Sequence, residues 1–252
     1  MIWVILPIIF LCWGSFLNVV AYRLVAAQNF VTGRSCCPQC RHTLAWYDLI
    51  PVFSWIMLFG LCRYCKQPIS LIYPSMELLT ACLLTAVWYV LPRLYFPAYF
   101  IFISALLVTV SSDLQTMLIS RFVTVFLIPV GILASACHLL PISLSDSLAG
   151  TLMGSLFLWC MAKLFMLWRN KEGIGQGDID LLAFIGAFLG VIGSWFALCI
   201  AACTAALVGI LYITINRLPI GKVRIPFGPF LALGAIMVLF FYHDLMYYFL
   251  LC

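Results

Sequence analysis

MIWVILPIIFLCWGSFLNVVAY, residues 1–22, runs without a single charged side chain. A helix needs about 20 apolar residues to cross the hydrocarbon core of a bilayer, so the stretch reads as a membrane span. No Lys or Arg precedes it and no small-x-small cleavage site follows it, so it is expected to remain uncleaved. Phe10 and Leu11 ahead of Cys12 are too bulky for lipoprotein-type processing. The pattern recurs along the chain. Of 252 residues, 66% are hydrophobic and 8% charged, with a mean hydropathy of +1.18. Soluble domains are about a quarter charged, and disordered chains are poor in apolar residues. Both classes are excluded. Breaks in the apolar runs predict eight helices, at about 2–22, 73–92, 96–112, 122–140, 147–168, 179–192, 195–215 and 227–250.

Charge placement tests this threading. With the N-terminus outside, the inner side receives Arg23, Arg34, Arg41, Arg63, Lys66, Arg121, Lys163, Arg169, Lys171, Arg217, Lys222 and Arg224. Only Arg93 falls outside, a sorting of 12 against 1 of the 13 Lys and Arg. The positive-inside rule supports both the span count and the orientation. A net charge of +5 is an orientation signal in loops and leaves nucleic acid out of the expected partners.

The one long polar segment, roughly 23–72, carries a cysteine cluster. Cys37-Pro-Gln-Cys40 and Cys62-Arg-Tyr-Cys65 are two CxxC pairs with 21 residues between them. That spacing is close to the zinc ribbon, in which two knuckles each give two thiolates to a tetrahedral ion. A reducing compartment disfavours disulfides. Four thiolates leave no open coordination position, so the ion is expected to be structural. Cys36 is read as a bystander and His42 as a surface residue. The other seven cysteines lie in or beside predicted spans and read as packing residues. The expected fold class is all-α: a polytopic membrane protein of about eight transmembrane helices with a small cytoplasmic zinc-binding insert.

The chain has eight acidic residues. Asp48 and Glu77 flank the insert, Asp146 and Asp244 fall on the outer side, and Glu172 in an inner loop. Asp113, Asp178 and Asp180 remain, at or near the inner ends of the third and sixth spans. Carboxylates there are costly unless they face a polar cavity. Asp178 ends Gly173-Ile-Gly175-Gln-Gly177-Asp178, where glycines permit close approach of a substrate strand or a neighbouring helix. The blander reading makes Asp178 an N-cap and Asp113 a helix-end acid balancing Arg121. The sharper reading pairs Asp113 with Asp178, two carboxylates sharing a proton as in aspartic proteases. Asp180 is about 200° around the helix from Asp178 and cannot join that pair. Gly186-x-x-x-Gly190 reads as a close-packing motif.

Six stretches in order resemble the type IV prepilin peptidases, bifunctional leader peptidase/N-methyltransferases of pilus and type II secretion systems. They are Gly14-Ser-Phe-Leu-Asn18-Val-Val-Ala-Tyr-Arg23, the CxxC pairs around Trp46-Tyr-Asp48-Leu-Ile-Pro51, Tyr73-Pro74 leading to Glu77, Asp113 to Ile119, Gly175-Gln-Gly177-Asp178, and Pro226-Phe-Gly228-Pro229. The resemblance implies an intramembrane aspartyl protease of the GxGD type in a bacterial inner membrane, with a periplasmic N-terminus and a cytoplasmic active site. It implies Asp113 and Asp178 as the catalytic pair, Gly175 and Gly177 as the substrate loop, and Cys37, Cys40, Cys62 and Cys65 as zinc ligands. The implied substrates are type IV prepilins or pseudopilins presented from membrane lipid. Methyl transfer from S-adenosylmethionine is implied for the N-terminal half, with Gly14, Asn18, Arg23, Asp48 and Glu77 as candidates. The division expected is 1–92, methyltransferase-associated, and 93–252, the peptidase core. The resembled family usually has Lys where Asp180 stands and Pro where Ser120 stands. A non-enzymatic membrane assembly or transport protein with a zinc-ribbon docking module is the alternative.

Overall fold

Apolar runs free of interior breakers become helices because a backbone that meets no water must satisfy its own N–H and C=O groups. The computed structural model describes residues 2–25, 34–169, 173–217 and 225–250, the last nine of these and Ile2 by backbone alone. Lys171, Glu172, Lys222 and Arg224, singled out above, lie outside the described residues, as do Cys252, one of the seven cysteines read as packing residues, and the Asp244 side chain. Long helices are α1 (Ile2–Val25), α3 (Ile72–Val90), α4 (Phe96–Thr116), α5 (Arg121–Ala136), α6 (Leu144–Arg169), α7 (Gln176–Asn216) and α8 (Gly228–Leu250), with a short α2 (Phe53–Met57) in the polar insert. No strand occurs among the described residues.

Among the described residues, four helices are long and apolar enough to cross a membrane: Trp3–Val25, Arg93–Thr116, Leu144–Arg169 and Gln176–Asn216. The last is about 60 Å long at 1.5 Å per residue, twice a hydrocarbon core. It is broken at Gly190, whose φ of 72° and ψ of −172° are non-helical. The Asp146 carboxylate of α6 explains the break. It accepts the Val191 N–H at 3.1 Å, capping the second segment, and it fills the space a Cβ at Gly190 would need. Gly190 is thus a break point as well as a packing residue, and only a side-chain-free residue tolerates both the φ and the carboxylate. With α7 in two segments, every apolar run of the sequence finds a helix. Eight complete crossings remain an inference from sequence.

The chain forms two compact units, Met1–Ser112 and Asp113–Cys252, with the boundary inside α4. In the first, α1 packs along α3, and Trp13 Nε1 donates to Ser104 Oγ of α4 at 2.9 Å. In the second, α7 packs against α5, α6 and α8. Glycines let α6 and α7 close up: a Cβ on Gly150 would come within 2.6 Å of the Gly186 carbonyl oxygen, and one on Gly154 within 3.0 Å of that of Leu182.

Candidate functional sites

The CxxC pairs fold as twins. In the first knuckle the Cys37 N–H donates to His42 O at 3.0 Å and the Arg41 N–H to Cys37 O at 2.9 Å. In the second the Cys62 N–H donates to Gln67 O at 2.9 Å and the Lys66 N–H to Cys62 O at 3.0 Å. Each loop closes through a left-handed residue right after its second cysteine, Arg41 at φ 55° and Lys66 at φ 58°. The Sγ atoms of Cys37, Cys40, Cys62 and Cys65 lie within 4.8 Å of one another. A tetrahedral zinc with bonds of about 2.3 Å places its sulfurs about 3.8 Å apart, and Cys37 and Cys65 are 3.9 Å apart. The cluster therefore fits an ion held by four thiolates.

Its acidity fits too. The Cys65 N–H, opposed by burial and helped by the Tyr64 N–H, brings the Cys62 thiol down to about 7. At Cys65 the Gln67 N–H acts the same way, but burial and the neighbouring thiols outweigh it and push the group up to about 11. Four thiolates here need a cation. His42, expected on the surface, is exposed, and its ring lies tilted against that of Tyr64 with centroids 3.7 Å apart, joining one knuckle to the other. Cys36 forms a bridge with Thr43 outside the ligand set.

Beside the knuckles, a cavity of about 390 Å³ opens between α1, α3 and the insert. Asn18, Arg23, Asp48 and Glu77 all line it, with Tyr22, Arg34, Trp55 and Arg63. Asn18 is buried and donates through Nδ2 to Tyr73 O at 3.0 Å. Glu77 accepts the Val52 N–H at 2.8 Å. Asp48, its side chain 3% exposed, pairs with Arg63 at 2.8 Å. Gly14 does not line the cavity. It is a contact glycine, and a Cβ there would stand 2.9 Å from Glu77 Cα and from Thr80 Cβ. Arg34, Arg63, Trp55 and the Val52 N–H were not singled out by sequence as members of this site, and only the closeness of Arg63 to a knuckle could have flagged one of them. The cavity is of small-molecule size. Its carboxylates, guanidinium groups and aromatic rings offer contacts of both charge signs and flat apolar surface.

The second unit gathers other acids. Asp113, 5% exposed, lies near the end of α4 and accepts the Gly228 N–H at 3.0 Å. Asp178 lies in the first turn of α7, whose N-cap is Gly175 and not Asp178 itself. Its N–H donates to Gly175 O at 3.2 Å, and its Oδ2 would be 3.3 Å from a Cβ on Gly175. The charge of Asp113 acts on Asp178. Ile119 fills the space between their supports: a Cβ on Gly177 would meet Ile119 Cβ at 2.7 Å, and one on Gly228 would meet Ile119 Cδ1 at 3.3 Å. Gly228, between Pro226 and Pro229, was visible in sequence as a motif, and Ile119 closed the flagged stretch from Asp113 without a role of its own.

Asp180 turns away from Asp178. It pairs with Arg121 Nε at 2.7 Å, while Gln176 Nε2 donates to its other oxygen at 3.4 Å. The reading of Asp113 as the partner of Arg121 is corrected by this geometry, because Arg121 reaches across to α7. Arg121 opens α5 behind its N-cap Ser120, so the ion pair ties the chain after Asp113 to the chain after Asp178.

Two family models match the chain in succession. Residues 8–91 match the bacterial peptidase A24 N-terminal domain, and residues 100–212 match the type IV leader peptidase family. The prepilin leader peptidase/N-methyltransferase of Burkholderia pseudomallei (strain 1026b) is 36% identical, covering 90% of this chain and 82% of that protein. This chain belongs to the type IV leader peptidase family. The Aeromonas hydrophila prepilin leader peptidase/N-methyltransferase is 35% identical over 88% of this chain and 84% of its own. A type 4 prepilin-like proteins leader peptide-processing enzyme of Escherichia coli O78:H11 is 31% identical over 90% and 89%. No solved structure matches the chain.

Proposed function

We propose that this protein removes the leader of type IV prepilins or pseudopilins and then methylates the new N-terminus. Asp113 and Asp178 are the acid–base pair of the cleavage. The observation that supports this reading is that two acids 65 positions apart in sequence (178 − 113) lie in one unit, near enough for the charge of Asp113 to act on Asp178, each beside a glycine. Like charges in one site split their ionisations, so the pair holds one proton over a working range. The ionised carboxylate takes a proton from water as that water attacks the scissile carbonyl carbon. The protonated carboxyl gives its proton to the carbonyl oxygen. The gem-diol then collapses with rupture of the C–N bond as the carboxyl that took the water proton passes it to the leaving amine nitrogen. The Gly228 N–H holds one oxygen of Asp113 and so fixes its orientation. Gly175 and Gly177 leave backbone accessible for pairing with the extended substrate strand.

Residues 1–92 carry the methyl transfer and 93–252 the proteolysis, a division supported by the two family matches. Asn18, Arg23, Asp48 and Glu77 bind S-adenosylmethionine, which supplies an electrophilic methyl group when bound. Gly14 serves this site indirectly by setting the closeness of α1 to Glu77. Cys37, Cys40, Cys62 and Cys65 hold a structural zinc that gives the insert its fold. The setting is a bacterial inner membrane, with eight crossings, a periplasmic N-terminus and both sites at the cytoplasmic face.

The test is incubation of the purified protein with a prepilin, with and without S-adenosylmethionine, followed by intact-mass analysis. We expect loss of the leader in both arms and one added methyl group only where the donor is present. An unchanged prepilin mass under both conditions rejects the proposal.

A further inference from the structure

The helix α2 has two unlike faces. Ser54, Trp55 and Leu58 line the cavity, and Trp55 Nε1 donates to Ile69 O at 3.1 Å. On the opposite side Phe53, Ile56 and Met57 are 58%, 58% and 62% exposed, and Phe59 just beyond is 88% exposed. Their i, i+3, i+4 spacing makes one apolar stripe. An exposed patch of this kind marks a protein or a lipid partner.

Depth decides between the two. Val52, the N-cap of α2, donates to Glu77 Oε2. Glu77 packs on Gly14 of α1. Gly14 is 8 residues inside Tyr22, the last residue of α1 before the Arg23 charge, about 12 Å along the axis. The apolar span itself runs over Trp3–Val25. Val52 is thus tied to a level well inside an apolar span, and α2 begins at that level. The knuckle residues Arg41 and Lys66 are exposed, and cations there suit anionic headgroups above a buried apolar stripe.

We propose that α2 is a monotopic membrane element, its Phe53, Ile56, Met57 and Phe59 face sunk into the leaflet on the insert's side. The insert then does not float free in the aqueous phase. Its metal-bearing loops stand at the headgroups, and α2 closes the cavity wall against lipid.

Two measurements on the full protein in nanodiscs of anionic phospholipid test this. In the unmodified chain, hydroxyl-radical footprinting should show Met57 oxidation lost to the slow rate of Met153 and Met161, which are exposed on the α6 span. In a Phe59→p-benzoylphenylalanine variant, illumination should add a phospholipid mass to the peptide carrying position 59, as it should for the same probe at Leu152 on α6. Met57 oxidation at the rate of a solvent-exposed residue overturns the proposal. So does labelling at Leu152 without labelling at Phe59. Crosslinking of Phe59 to added prepilin with no lipid adduct would identify the face as a substrate-docking surface and also overturn it.

Discussion

The two units handle acidic side chains in opposite ways. In the first, Glu77 is held by the Val52 N–H and Asp48 by the Arg63 guanidinium. In the second, Asp113 accepts the Gly228 N–H, and its charge acts on Asp178. A carboxylate matched to a cation or a firm donor stays put, which suits binding of a cationic ligand. Two carboxylates that sense each other share a proton, which suits acid–base chemistry. Asp180, although only two residues from Asp178, belongs with the first kind because Arg121 neutralises it.

The sharpest way to break this contrast is to neutralise each acid in turn. Asp113→Asn or Asp178→Asn should cut leader removal by about 10³-fold or more while the protein still inserts. Methyl transfer to a pre-cleaved N-terminus should stay within about twofold of normal, since proton sharing plays no part in it. Intact-mass time courses read both activities from one sample, and a cleaving Asn variant would refute the pair.

Metal removal should split the units next. Cys37→Ser or Cys62→Ser should abolish stoichiometric zinc and melt the insert, because the binding energy of a structural zinc is folding energy, on the order of 10 kcal/mol. Methyl transfer should be lost while cleavage persists. The pH dependence has a definite sign. Zinc needs thiolates, so affinity should weaken as pH falls through about 7, where Cys62 takes up its proton. Titration at higher pH should release protons, that of Cys65 among them, since its thiol ionises only at about 11 without a cation. Calorimetry in buffers of different ionisation enthalpy measures both.

A smaller effect is expected at Glu77. Glu77→Gln removes the charge but keeps an acceptor for Val52. Losing a charged hydrogen bond costs about 1.5–3 kcal/mol, so methyl transfer should slow by roughly 10- to 100-fold with cleavage unchanged. Equal losses in both activities would mean that Glu77 holds the fold and does not serve the cavity.

The smallest effect should come from Arg121 and Asp180. An exposed ion pair contributes about 0.2–1 kcal/mol, so Asp180→Lys should slow cleavage by at most about fivefold. The pH–rate profile should keep its shape, because the Asp180 charge is already matched. Adding Arg121→Asp to Asp180→Lys should restore the rate. A shifted profile in the single variant would instead couple Asp180 directly to the Asp113–Asp178 pair.

Much of the fold was legible because it is written in local pattern. Each apolar run found a helix, and the CxxC spacing placed Cys37, Cys40, Cys62 and Cys65 in one cluster. A span is defined by the transfer of its own residues into lipid, and a knuckle by backbone bonds within a handful of residues. Asn18, Arg23, Asp48 and Glu77 were reached by resemblance and do share one cavity, whereas Gly14 proved to be a contact between α1 and α3.

The rest was decided by tertiary structure. Val52 meets Glu77 across 25 residues, Asp146 caps Val191 across 45, Arg121 takes Asp180 across 59, and Gly228 reaches Asp113 across 115. No periodicity records such a pairing, because each depends on how finished helices pack and on which glycines let them approach. Sequence alone determined which segments leave water and which residues could carry chemistry. Only the packed chain chose the partner of each charged group, because the strength of an electrostatic contact depends on its distance in space and its burial.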